Sequence, residues 1–155
     1  MQEKVTTMRS EIIIAAKCPP EEEHLSNAVE AGLKAVELYL YDDSLDNVDV
    51  ISSLCRNFPL RYAVHAPNKG CEVRALAGFV SEIQAEVVVT HDIYWDDEWG
   101  DFVHALEDTT ARLCVENTFS IHEPVKIMRR YGAGRCLDLE HLQMECAGIY
   151  EEAFI

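Results

Sequence analysis

Short apolar runs alternate with amphipathic stretches along the whole chain. The runs are Glu11 to Ala16 (EIIIAA), Lys34 to Leu40 (KAVELYL), Leu60 to Pro67 (LRYAVHAP), Glu86 to Asp92 (EVVVTHD), Arg112 to Asn117 (RLCVEN) and Arg135 to His141 (RCLDLEH). Each has the length and composition of a strand, and helical patterns separate them, as expected of a parallel sheet built from βα units. Pro19 and Pro20 suit the loop and first turn of a helix, and EEEHLSNAVEA stops at Gly32. Asp46 to Asn57 places Leu45, Val48, Ile51, Ser52 and Cys55 along one helical face. Further helices are expected over Cys71 to Gln84, over Asp97 to Thr109, and from a cap at Ser120 to Tyr131, where Gly132 and Gly134 end the pattern.

Alternate residues of a strand face opposite sides of the sheet. One parity is apolar and is expected to face the helices: Val36, Leu38 and Leu40; Tyr62 and Val64; Leu113 and Val115; Leu137 and Leu139. The other carries Glu37, His65, His91, Glu116 and Asp138, with Ala63, Val89, Cys114 and Cys136 among the residues below them. Ionisable groups that share one face and one end of the strands fit the C-terminal mouth of an α/β barrel, where active sites sit. An open doubly wound sheet explains them less well, because helices cover both of its faces.

Composition narrows the class. With 155 residues, 48% of them apolar and 26% charged, the chain suits one domain with a sizeable core, here residues 10–155 behind a polar lead-in at 1–9. The formal charge of −15 gives an average field that repels phosphate backbones and anionic lipid, which weighs against nucleic-acid and membrane partners. Six cysteines without CxxC spacing, several inside apolar runs, read as small hydrophobes in a reducing, cytoplasmic setting. The first apolar run is too short for a signal segment or a membrane span.

The candidate chemistry lies in His65, His91, Glu116, Asp138 and His141. The first four are separated by 26, 25 and 22 residues, about one βα unit each, so a fold that aligns the units gathers them. A carboxylate at the end of a buried strand needs a cation, a metal or several donors to stay charged. Glu37 reads either as a substrate anchor or as a salt-bridged barrel residue. Asn117 reads as a loop cap or as a hydrogen-bonding neighbour of Glu116. Trp95, with Tyr94 and Trp99, reads as a stacking lid or as helix packing. His24, His104 and His122 fall in helical stretches and read as surface or core groups, and Cys114 and Cys136 as small packing residues.

The segments AVELYL, YAVHAPN, VVVTHD, LCVENTF and CLDLEH, in this order and spacing, resemble the xylose-isomerase-like TIM-barrel superfamily, which includes sugar and sugar-phosphate isomerases and epimerases and endonuclease IV. The resemblance covers roughly residues 11–145. It implies metal ligation by Glu116 and Asp138, with His65 and His91 as metal or substrate residues. It also implies a role for His141 in substrate or metal binding. Such barrels have eight strands and usually about 200 residues or more, whereas six units are expected here. The last two units, which usually bring a further histidine and glutamate, have no counterpart, so the expectation is either a piece of a longer protein or a barrel closed by another chain, dimerisation being the remedy for open edges.

The resemblance implies a metal-dependent sugar or sugar-phosphate isomerase or epimerase that moves a proton beside a carbonyl through an enediolate. Glu116 is expected as ligand and base, and His141 as a catalytic partner. Substrate contacts are expected from Glu37, His65, His91, Asn117, His141 and Trp95. Mixed oxygen and imidazole ligands suit Mn²⁺, Mg²⁺, Co²⁺ or Zn²⁺. Two alternatives stand beside it: an endonuclease IV-like zinc phosphodiesterase acting on abasic DNA, and a non-catalytic barrel segment that binds a small molecule or a partner chain.

Overall fold

The computed structural model describes residues 12–41, 43–93, 96–118, 120 and 122–147. The polar lead-in and Trp95 lie outside the described residues. Six strands, β1 (Ala15–Cys18), β2 (Ala35–Tyr39), β3 (Arg61–His65), β4 (Val87–His91), β5 (Arg112–Glu116) and β6 (Gly134–Cys136), alternate with six helices. These are α1 (Glu22–Glu30), α2 (Val48–Cys55, entered through a 3₁₀ turn at Ser44–Asn47), α3 (Val73–Glu82), α4 (Asp96–Leu106), α5 (His122–Tyr131) and α6 (Leu139–Ala147).

All pairings are parallel, and the spatial order is the chain order, β1 to β6. Parallel crossovers are right-handed, so an order that never reverses stacks every crossover helix on the same face. A doubly wound sheet requires a reversal. The chain is therefore an α/β fold, a partial TIM-barrel-like arc of βα repeats. The core fills the space between the helices and one face of the sheet. Val36, Leu38, Val64, Val88 and Val115 supply the sheet side, and Leu25, Leu76, Phe79, Trp99 and Phe102 the helix side. Burying side chains of this size contributes about 1.5–3 kcal/mol each. Inside the same layer, the Tyr62 hydroxyl donates to the Cys55 carbonyl at 2.7 Å.

Local chemistry sets the element ends. Glu72 caps α3, its carboxylate accepting from the Ala75 N–H at 2.7 Å, and the Ser120 hydroxyl accepts from the His122 N–H at 3.1 Å ahead of α5. Gly132 takes φ +71° directly after α5, a left-handed turn that glycine enters without strain. At Gly134 the reason is space, since a Cβ there would stand 2.6 Å from Cys114 Sγ and 2.8 Å from Arg112 Nε.

Two expected strands are placed differently. The first begins at Ala15, leaving Ile12 to Ile14 outside it, because its partner β2 begins at Ala35, which pairs with Ala15; Glu11, the expected start, lies outside the described residues. Ile12 and Ile14 project past the end of the sheet and are exposed. The sixth strand stops at Cys136 instead of running to His141. The Asp138 carboxylate accepts the His141 N–H at 2.8 Å, the geometry of an N-cap, and the chain turns into α6. Leu137 and Leu139, expected to face the helices, are consequently exposed.

Candidate metal centre

β3, β4 and β5 end on His65, His91 and Glu116, all on the sheet face opposite the helices. The ladder sets Glu116 level with His91, and His65 level with Val89, two residues lower on the neighbouring strand. All three are buried, at 6%, 5% and 3% exposure. Glu116 Oε2 lies 3.5 Å from His65 Nε2, and Oε1 lies 3.4 Å from both His91 Nε2 and His141 Nδ1. One carboxylate thus sits among three imidazoles. The rings follow one another edge to face, with centroids 4.9 Å apart for His65 and His91 and 5.8 Å for His91 and His141.

Burial alone would raise the Glu116 carboxyl, but the hydrogen bonds and charge of His65 and His91 outweigh it and hold the group well below the usual carboxylate range. Tautomers sharpen the point. A carbonyl only accepts, so His65 Nδ1, 3.1 Å from Ala66 O, carries a proton, and so does His141 Nδ1, 2.9 Å from Asn117 O. On a neutral ring, His65 Nε2 would then turn its lone pair toward an anionic oxygen, a repulsion that a metal ion between them would relieve.

The donor set fits a divalent cation. Single ligand atoms of His65, His91 and Glu116 lie within 4.8 Å of one another, and so do those of Glu116, Asp138 and His141. The first group is a His₂Glu set, of the kind that holds catalytic zinc, and the second is richer in oxygen. Cys136 Sγ approaches Glu116 Oε2 at 3.7 Å, but burial, reinforced by the Glu116 charge, pushes this thiol up to about 12. It donates to the carboxylate. Burial also pushes the Asp92 carboxyl up, opposed by hydrogen bonds from Thr118.

A cavity of about 790 Å³ opens over these strand ends. His65, His91, Glu116, Asp138 and His141 line one side, and Lys17, Tyr39, Tyr41, Asp43 and Asn68 the other. The five residues singled out by spacing are thus brought together. Glu37 lies lower, in register with Ala63 and paired with Lys17 at 3.0 Å, which matches its salt-bridged reading. Asn117 is buried, and its amide is bonded to the Asp138 backbone and not turned to the cavity.

The far wall was not legible from ionisable residues alone. Tyr39 and Tyr41 meet through their hydroxyls at 2.8 Å, with rings edge to face. Strand parity could have found Tyr39, the last residue of β2 and the ladder neighbour of His65, and Lys17, the neighbour of Glu37.

No family model and no curated protein matches this chain. Cys18, Cys55, Cys71, Cys114 and Cys136 are free, and among the described residues no helix is long and apolar enough to cross a membrane.

Proposed function

We propose that this chain is a metal-dependent isomerase or epimerase acting on an uncharged polyhydroxylated carbonyl compound, a free sugar, by proton transfer beside the carbonyl. The observation that carries this reading is the buried Glu116 carboxylate set among His65, His91 and His141 at the floor of a large cavity. His65, His91 and Glu116, or Glu116, Asp138 and His141, would hold a divalent cation, which would supply Lewis-acid polarisation of substrate oxygens, a role worth several kcal/mol.

The chain's own groups do the rest. The partners that keep Glu116 ionised also lower its proton affinity, so Glu116 serves as ligand and counter-charge more than as base. With the cation on His65, His91 and Glu116, proton transfer would pass to the neighbouring pair. Asp138 presents a carboxylate to the cavity, and His141, with its Nδ1 proton committed to Asn117 O, exchanges protons through Nε2. Positioned acid–base groups of this kind contribute about 10² to 10⁴ in rate. Tyr39, Tyr41, Asn68 and Lys17 offer hydroxyl, amide and ammonium contacts to substrate hydroxyls.

Charge favours a free sugar over its phosphate. The described lining holds the carboxylates of Asp43, Glu116 and Asp138 and one cation, Lys17, which is already paired with Glu37. A phosphate would find no unpaired ammonium or guanidinium among the described lining residues to receive it.

The test is solvent-proton exchange. Protein supplemented with Mn²⁺, Co²⁺ or Zn²⁺ is incubated in deuterated water with free aldoses and ketoses, and NMR follows deuterium entering the carbon beside the carbonyl. Exchange without net conversion still supports the reading, and no exchange with any sugar under any metal refutes it. The His₂Glu set favours a second reading, zinc-dependent phosphodiester hydrolysis. Cleavage of abasic DNA by the zinc-loaded chain would replace the first reading with this one, and the acidic mouth argues against that outcome.

A further inference from the structure

The D-x-x-H turn that delivers Asp138 and His141 has one organiser, Asn117. The β5–β6 ladder ends at the pair Glu116 and Cys136, where β6 stops. One residue further along, the Asn117 side chain takes over the part of a neighbouring strand. Its Oδ1 accepts from the Asp138 N–H at 2.9 Å, and its Nδ2 donates to the Asp138 carbonyl at 3.0 Å. An amide can do this because it carries a donor and an acceptor side by side, matching a residue's own N–H and C=O. The Asn117 main-chain carbonyl, meanwhile, accepts the Nδ1 proton of His141 at 2.9 Å. With 1% exposure, none of these bonds is shared with bulk solvent.

We infer that Asn117 is a positioning residue of the metal centre: it fixes the Asp138 backbone and the His141 tautomer, and so aims both side chains at Glu116. Aspartate in its place keeps the acceptor but loses the donor, and sets a carboxylate oxygen against the Asp138 carbonyl. Alanine loses both bonds. Outer partners that hold metal ligands are typically worth about 10- to 100-fold in affinity. The Asp138 carbonyl also accepts the Leu142 N–H at 3.2 Å as α6 begins, while Asn117 holds its N–H, so a loss of this order is expected at the Asp138 and His141 side of the centre. The His65 and His91 side, carried by β3 and β4, is expected to hold.

The inference rests on the metal-centre reading, and its test separates the two. Co²⁺ binding is titrated for the wild type, Asn117→Ala, Asn117→Asp, His141→Ala, His91→Ala and a core control, Phe79→Leu, well below each unfolding temperature. Asn117→Ala is expected to weaken binding about 10- to 100-fold and to give the visible Co²⁺ spectrum of His141→Ala, not that of His91→Ala. Asn117→Asp falls between wild type and alanine, and Phe79→Leu binds as wild type despite its lower stability. Wild-type affinity and spectrum in a folded Asn117→Ala overturn the inference, and so does an affinity loss matched by the core control. Should the wild type bind no Co²⁺, the metal-centre reading fails by itself, and backbone amide exchange decides on Asn117. Lost protection of the Asp138 N–H in Asn117→Ala supports the positioning role, and unchanged protection ends it.

Discussion

The two ends of the sheet use ion pairs in opposite ways. At the N-terminal ends of the strands, Arg61 pairs with Glu86, and Arg56 with Glu82 at 3.3 Å, all four side chains being between 41% and 53% exposed. At the C-terminal ends, Glu116 and its histidine partners His65 and His91 are 4% to 8% exposed. Water solvates the first set whether or not its members touch, so such pairs contribute about 0–1 kcal/mol. The second set has lost that solvation, and removing one member leaves the others uncompensated, at a cost of about 3–5 kcal/mol for buried pairs. Equal chemistry gives surface decoration at one end and, at the other, a buried cluster that could hold a metal ion.

The sharpest way to break this contrast is Glu116→Gln, which keeps the shape and removes the charge. Divalent-metal affinity is expected to fall by more than about 100-fold, beyond the loss caused by outer partners alone, as read by calorimetry with Zn²⁺ or Co²⁺. Retained affinity would mean that the histidines act without the carboxylate. His91→Ala follows, with a metal-affinity loss of at least about tenfold and, by denaturant unfolding, a destabilisation approaching the buried-pair cost of about 3 kcal/mol.

Acid titration comes next. The Glu116 carboxyl is depressed in the folded chain, so its contribution is present in full above the unfolded carboxyl value of about 4.3 and is lost as pH falls toward the folded value. Stability measured from about pH 4.5 downward should therefore drop less steeply in Glu116→Gln than in the wild type, and parallel curves would contradict the assignment. Smallest of all, Arg61→Ala should change unfolding free energy by no more than about 1 kcal/mol, with the effect fading in salt. A larger, salt-resistant loss would erase the distinction between the two ends.

Most of the frame was written in the periodicity. Runs such as VVVTHD and RLCVEN are long, apolar and punctuated, and β4 and β5 lie within them. Parity placed His65, His91 and Glu116 on a common face because a period of two leaves no other choice. The misplacements have a common cause in pairing, which a run cannot show by itself. EIIIAA looks like a strand throughout, but only residues with a partner on β2 become one. In RCLDLEH the alternating leucines imitate a strand, while Asp138 and His141 also stand at N-cap spacing. The cap prevails because Asn117 and Asp138 satisfy the backbone groups of the turn. The Tyr39 and Tyr41 wall depends on how neighbouring strands are staggered, and that stagger is a property of the sheet.

The unreversed strand order also shapes how the molecule breathes. Ladder partners stand only 20 to 26 residues apart in the chain, so each strand depends on its immediate neighbours and on nothing remote. Amide hydrogen exchange should be slowest in β3 and β4 and quicken outward, with the three-residue β6 opening first. Such fraying would carry Asp138 and His141 away from Glu116 while His65 and His91 stayed in place. The centre would then come apart one half at a time, and occupancy by a ligand would register as slowed exchange at the β6 margin.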